Sequence, residues 1–137
     1  MVKISVTYEG DLRTAALHEE SGAVIKTDAP KDNHGKGELF SPTDLLGAAL
    51  GTCVITVMGI LASKLKIDLK GLRGVVEKEM ALSPSRKVGR ITIHIFCPST
   101  FDPETTARLE KIATECPVHH SLHPDVRQEL IFHWGQA

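Results

Sequence analysis

Aromatic side chains are scarce in this 137-residue chain: four Phe, one Tyr and one Trp, 4% of the total. Base stacking therefore has few candidates, and no aromatic-interleaved basic stripe marks a nucleic-acid surface. Excess charge of either sign is also lacking. Sixteen basic residues stand against 17 acidic ones, a net charge of −1, so no broad field draws a polyanion or an anionic membrane. Cysteines number only three, Cys53, Cys97 and Cys116. An odd count does not suit a disulfide framework. The opening "MVKISVTYEG" reads as a strand and not as a targeting segment. A cytoplasmic, reducing compartment is expected, where a pair of cysteines is more often catalytic or metal-binding than structural.

What is present is an ordinary globular balance, 42% apolar and 24% charged. The length suits one domain spanning 1–137, and a domain of that size buries about two-thirds of its unfolded surface. No internal repeat or low-complexity tract interrupts it. Val2, Ile4, Val6 and Tyr8 alternate as in a half-buried strand. The "EGDL" turn follows, and "RTAALHEESG" with "AVIKTD" continues an antiparallel meander. Residues 28–42 hold two Pro and two Gly and read as a long loop, of the kind that often carries function.

Ser41-Pro42-Thr43-Asp44 predicts a helix start: a capping Ser41, a Pro at the first helical position, and an acid facing the positive helix end. From Leu45 to Ala62 no residue is charged, which reaches the lower length limit of a membrane span. Gly47 and Gly51 also match a membrane helix-pairing pattern. A buried helix of a soluble protein is the expected solution. Gly, Thr and small residues break the run, no aromatic marks its ends, and the strands elsewhere need an apolar cover. Two alternating runs, 72–82 and 87–96, flank "SPSRK" as a hairpin. Asp102-Pro103-Glu104 opens a second helix, which Cys116-Pro117 breaks. A short helical "PVHHSL" and a strand "VRQELIFHWG" complete an α+β order.

Cys53 lies inside the apolar helix, where cysteine commonly packs as a small hydrophobe. Cys116 stands at a helix start, where backbone N–H groups favour a thiolate; a plain helix cap is the simpler alternative. Cys97, before a Pro at a strand end, reads as structural. Cys116, His119, His120 and His123 offer thiolate and imidazole groups of the kind that bind zinc, but Pro124 ends the segment and no second ligand pair supports a metal site. Arg13, after the first turn, is either a solvated charge or a fixed cation beside a thiolate. Glu38 and Asp44 are its candidate partners. His18 and His34 read as surface residues.

"FSPTDLLGAALGTCVITVMGI", with Cys116 in "ECPVHHSL" 63 residues after Cys53, resembles the OsmC family of osmotically inducible and organic hydroperoxide resistance proteins. "YEGDLRTAALHEESG", "TDAPKDNHGKGELFSPTDL" and "HPDV" extend the likeness along nearly the whole chain. The resemblance implies an α+β fold with a curved antiparallel sheet around a long buried central helix, in an intertwined homodimer with sites at the subunit interface. It implies a thiol peroxidase acting on organic hydroperoxides, reset by an external dithiol, with no cofactor, metal, nucleic acid or membrane. Cys53 then corresponds to the peroxidatic cysteine, Cys116 to the resolving one, and Arg13 to the arginine that holds the thiolate. The peroxidase branches place a glutamate ten residues before the first cysteine, and here that position is Thr43. Asp44 or Glu38 would have to take its part. The pattern is nearer to a less-characterised "SPxxLL" branch. A hydrophobic-ligand binder or redox sensor of the same fold is the alternative.

Overall fold

The computed structural model describes residues 1–137. It is α+β, with two three-stranded sheets and helices, and divides into two compact units, Met1–Leu46 and Gly47–Ala137.

The first unit holds β1 (Ile4–Gly10), β2 (Arg13–His18) and β3 (Val24–Asp28), paired antiparallel in that order. Asp11 and Leu12 form the two-residue turn between β1 and β2, both with positive φ, 52° and 62°. Such a turn matches the right-handed twist of the strands it joins. It delivers Arg13 as the first residue of β2, directly opposite Asp28, the last of β3. The loop after β3 is tightly folded. A single 3-10 turn covers Lys31–Asn33, and the Asp28 amide donates to the Phe40 carbonyl at 3.1 Å. A Cβ at Gly35 would lie 1.7 Å from the Ala29 carbonyl oxygen, so only glycine passes here.

Helix α1 spans Pro42–Leu65 and starts as expected. The Asp44 amide donates to Ser41 Oγ at 3.0 Å, and the Ser41 amide donates back to Asp44 Oδ2 at 2.9 Å. This reciprocal pair satisfies two amides that a helix start leaves unpaired.

The second unit holds most of α1, then β4 (Arg73–Ala81), β5 (Lys87–Cys97), α2 (Pro103–Ala113), α3 (Pro117–Ser121) and β6 (Arg127–Trp134). Its core joins Leu50, Val54, Met58 and Ala62 of α1 to Ile91, Ile93 and Ile95 of β5 and Leu109 of α2. Cys97, at the end of β5, is buried among them.

Two expectations change in detail. The strands are not all antiparallel in one sheet: β4 pairs antiparallel with β5, but β6 pairs parallel to β5. The two intervening helices return the chain to the end where β5 began, and a long crossover permits a parallel partner where a tight turn cannot. Helix α1 is long and apolar enough to cross a membrane by length and composition, yet it is not enclosed all round within the chain. One stripe is buried, Gly47, Leu50, Gly51, Val54, Met58 and Ala62, while Thr52, Thr56, Gly59 and Ile60 are exposed. The glycines serve strand packing. A Cβ at Gly51 would meet Val76 Cγ2 of β4 at 2.6 Å, and one at Gly47 would meet Val76 Cγ1 at 3.3 Å.

Candidate functional site

The sequence-derived candidates fall into two groups, one in each unit. In the second unit the structure brings the two cysteines together. Cys53, midway along α1, is half-buried. Cys116 has 0% of its surface exposed. Both thiols are free, and Cys53 is a neighbour of Cys116 that acts on its ionisation. Cys116 caps α3, as its place before Pro117 predicts, and the His119 amide donates to its Sγ at 3.2 Å. Burial pushes the Cys116 thiol up from its ordinary value, the His119 amide draws it down, and the neighbouring Cys53 pushes it up again. The backbone amides of His119 and, more weakly, Val118 are the local features that favour its thiolate.

The histidines that follow do not converge on a metal. No group of three or more His, Cys, Asp or Glu side chains gathers in a way that could hold an ion. His119 Nδ1 hydrogen-bonds Gln128 Oε1 on β6. His123 is exposed, and its Nδ1 accepts from the Asp125 amide at 3.0 Å.

In the first unit Arg13 is held by two carboxylates. Its guanidinium hydrogen-bonds Glu38 Oε1 and stands 3.5 Å from Asp28 Oδ2. Glu38 is thus placed as one of the two expected partners, while Asp44 accepts from the Ser41 amide in the α1 cap. Thr43 Oγ1 lies in the same cap, 3.2 Å from Ser41 Oγ. Asp28 is the residue the sequence reading missed. It is 0% exposed, and its Oδ2 also accepts from the Glu38 amide at 3.0 Å. That amide bond, opposed by burial and aided by Arg13, holds the Asp28 carboxyl below its usual range. The missed signal was the register of the β2–β3 hairpin, which sets opposite charges at facing ends.

Two clefts lie in the second unit. One, about 480 Å³, is lined by residues of α2, α3 and β6, including Lys111, His119, Gln128 and Phe132. The other, about 390 Å³, runs between α1 and β4, past Thr52, Thr56 and Arg73. Neither takes a cysteine into its wall.

The model of OsmC-like proteins matches residues 35–130. This chain belongs to the OsmC-like family. A solved relative from Psychrobacter arcticus 273-4, called an osmotic stress induced and detoxification response protein, is 46% identical. It aligns over 97% of this chain and 96% of its own, with a TM-score of 0.92. An organic hydroperoxide resistance protein OsmC from Legionella pneumophila shares the fold at 16% identity and a TM-score of 0.78, covering 96% of each chain. An organic hydroperoxide resistance protein from Elizabethkingia anophelis does so at 14% identity and a TM-score of 0.78, covering 98% of this chain and 96% of its own. Among curated proteins none matches.

Proposed function

We propose that this protein is a thiol-dependent peroxidase that reduces organic hydroperoxides through a two-cysteine cycle in the cytoplasm. One observation carries the reading: Cys53 and Cys116, 63 residues apart in a chain with three cysteines, are neighbouring free thiols, near enough for Cys53 to push the Cys116 thiol up. The Cys53 thiolate attacks the distal peroxide oxygen. The O–O bond breaks, the departing alkoxide takes a proton, and Cys53 is left as a sulfenic acid. Cys116 then attacks that sulfur, the S–O bond breaks, and water leaves as the disulfide forms. An external dithiol reduces the disulfide and is itself oxidised. None of these steps calls for a metal or an organic cofactor.

Arg13 is the proposed cation for the thiolate and the developing alkoxide. A Thr at position 43 carries no charge to orient a guanidinium. Glu38 and Asp28 meet Arg13 instead, which supports this role for Arg13 in the presence of Thr43. The site is proposed to be completed in a homodimer, at the subunit interface. The apolar character of α1 around Cys53 favours a peroxide with an organic tail over a small polar one. The names borne by the Legionella and Elizabethkingia proteins support the same class of substrate.

A second reading, a redox sensor or hydrophobic-ligand binder, draws on the upward push that burial gives the Cys116 thiol, since a slow second step suits a sensor. Steady-state consumption of cumene hydroperoxide with dihydrolipoamide separates the two. Turnover is expected. Reduced thiols that survive with no peroxide consumed would leave only the sensor or binder. Cys53→Ser is expected to abolish consumption, and Cys116→Ser to allow one turnover before Cys53 stalls or overoxidises. A Cys53→Ser variant as fast as wild type would overturn the assignment of roles.

A further inference from the structure

The His119 amide donates to the Cys116 sulfur at 3.2 Å and outweighs the Val118 amide in drawing the thiol down. That amide belongs to a helix of five residues, and helices this short do not hold themselves together in water. Two backbone hydrogen bonds of α3, His120 N–H to the Cys116 carbonyl and Leu122 N–H to the Val118 carbonyl, are both 3.2 Å, the long end of the usual range. The support comes from β6. His119 Nδ1 hydrogen-bonds Gln128 Oε1, and Gln128 Nε2 donates to the His119 carbonyl at 3.2 Å. A carbonyl only accepts, so the Gln128 nitrogen must face it, Oε1 must face the ring, and Nδ1 must carry the proton. Ring and backbone of His119 are therefore tied to a single strand residue. Both side chains also line the cleft of about 480 Å³ beside α2.

We propose that Gln128 is a positioning residue for the Cys116 thiol: by clamping His119 to β6 it holds the His119 amide on Sγ. The proposal deepens the peroxidase reading and rests on Cys116 as the resolving cysteine. It gives the clamp work in two steps. When Cys116 attacks the sulfenic acid on Cys53, the amide favours the thiolate that must attack. When a dithiol thiolate attacks Cys53 and the protein disulfide breaks, the electron pair leaves on Cys116. A leaving thiolate of lower pKa departs faster. The dithiol's second thiol then displaces Cys53 and completes its oxidation. With the clamp cut, burial is left to dominate and the Cys116 thiol moves up.

The test needs no peroxide. In a Cys53→Ser background, Gln128→Leu removes both side-chain hydrogen bonds, and His119→Ala removes the ring bond alone while keeping the residue-119 amide and carbonyl. The Cys116 titration is read by NMR from the Cβ shift of labelled cysteine, and opening of α3 from hydrogen exchange of the residue-119 amide. Each variant is expected to raise the Cys116 midpoint by about half to one pH unit, the effect of one weakened hydrogen bond. Exchange at residue 119 should quicken about tenfold or more, with the amides of Ile93 and Leu109 unchanged. If Gln128→Leu fails to fold, His119→Ala carries the same comparison. A midpoint and an exchange rate that stay put in the folded variants overturn the proposal. A failed cumene hydroperoxide assay with a moved midpoint would instead strike only the peroxidase reading.

Discussion

Cys116 is a buried thiol whose environment favours the protonated form, and that direction sets a rate. Only the thiolate attacks a sulfenic acid. The fraction ionised therefore keeps growing with pH well past neutrality. In a single-turnover experiment, disulfide formation should accelerate across about pH 7 to 9, rising close to tenfold per unit and without a plateau. A plateau near neutrality would mean that Cys116 is already ionised and that burial does not govern it. Asp28 runs in the opposite direction. Its carboxyl is held low by the Glu38 amide and by Arg13 against the cost of burial. A lowered folded value contributes stability above the unfolded value of 3.8, and that stability disappears as pH falls through the folded value. Asp28→Asn should lower the melting temperature at neutral pH, and the gap from wild type should close as pH falls below 3.8 and through the lower folded value. An equal gap at both pH values would assign the loss to shape and not to charge.

Helix α1 and strand β4 meet through a side chain that is missing. Gly51 leaves Val76 room that a methyl would take, with 2.6 Å between the added Cβ and Val76 Cγ2. Gly51→Ala adds helix propensity, about 1 kcal/mol in favour of folding. Overpacking of this kind costs about 1–3 kcal/mol, so the contact should win. The expected result is a net loss of about 1 kcal/mol in urea unfolding, regained in part by Gly51→Ala with Val76→Ala. A stabilised single variant would show that α1 and β4 shift apart without cost. The elements themselves were largely legible in the sequence. Ser41, Asp102 and Cys116 all accept the capping hydrogen bonds that their positions predict. Capping is local chemistry within three residues, which one sequence displays. The partner of β6 was not legible, because a crossover of helices leaves the direction of the returning strand to packing.

The whole molecule leaves two apolar surfaces open. On the first sheet, Val6 pairs with Ala16 and Ala16 with Ile25, placing Val6 and Ile25 on one face with Ile4 and Tyr8. Val6 and Tyr8 are each 65% exposed. On α1, the exposed Thr52 and Thr56 hydroxyls donate to the Ala48 and Thr52 carbonyls at 2.8 Å, so that side of the helix can meet an apolar cover without leaving a donor unpaired. These surfaces suit burial in the proposed homodimer. Light scattering should give about twice the 14.9 kDa of one chain, and Val6→Asp with Ile25→Asp should release monomers because a buried carboxylate is costly. A wild-type protein of single-chain mass would refute the shared interface. The α+β class, the start of each helix, the hairpins and the two cysteines worth watching were all legible in the chain, because periodicity, caps and turns are written within a few residues of one another. It took the folded chain to make Cys53 and Cys116 neighbours, to join Asp28 with Glu38 on Arg13, and to bring Gln128 to His119. Those are meetings between distant segments, fixed by strand register and close packing, and no local pattern in the chain encodes them.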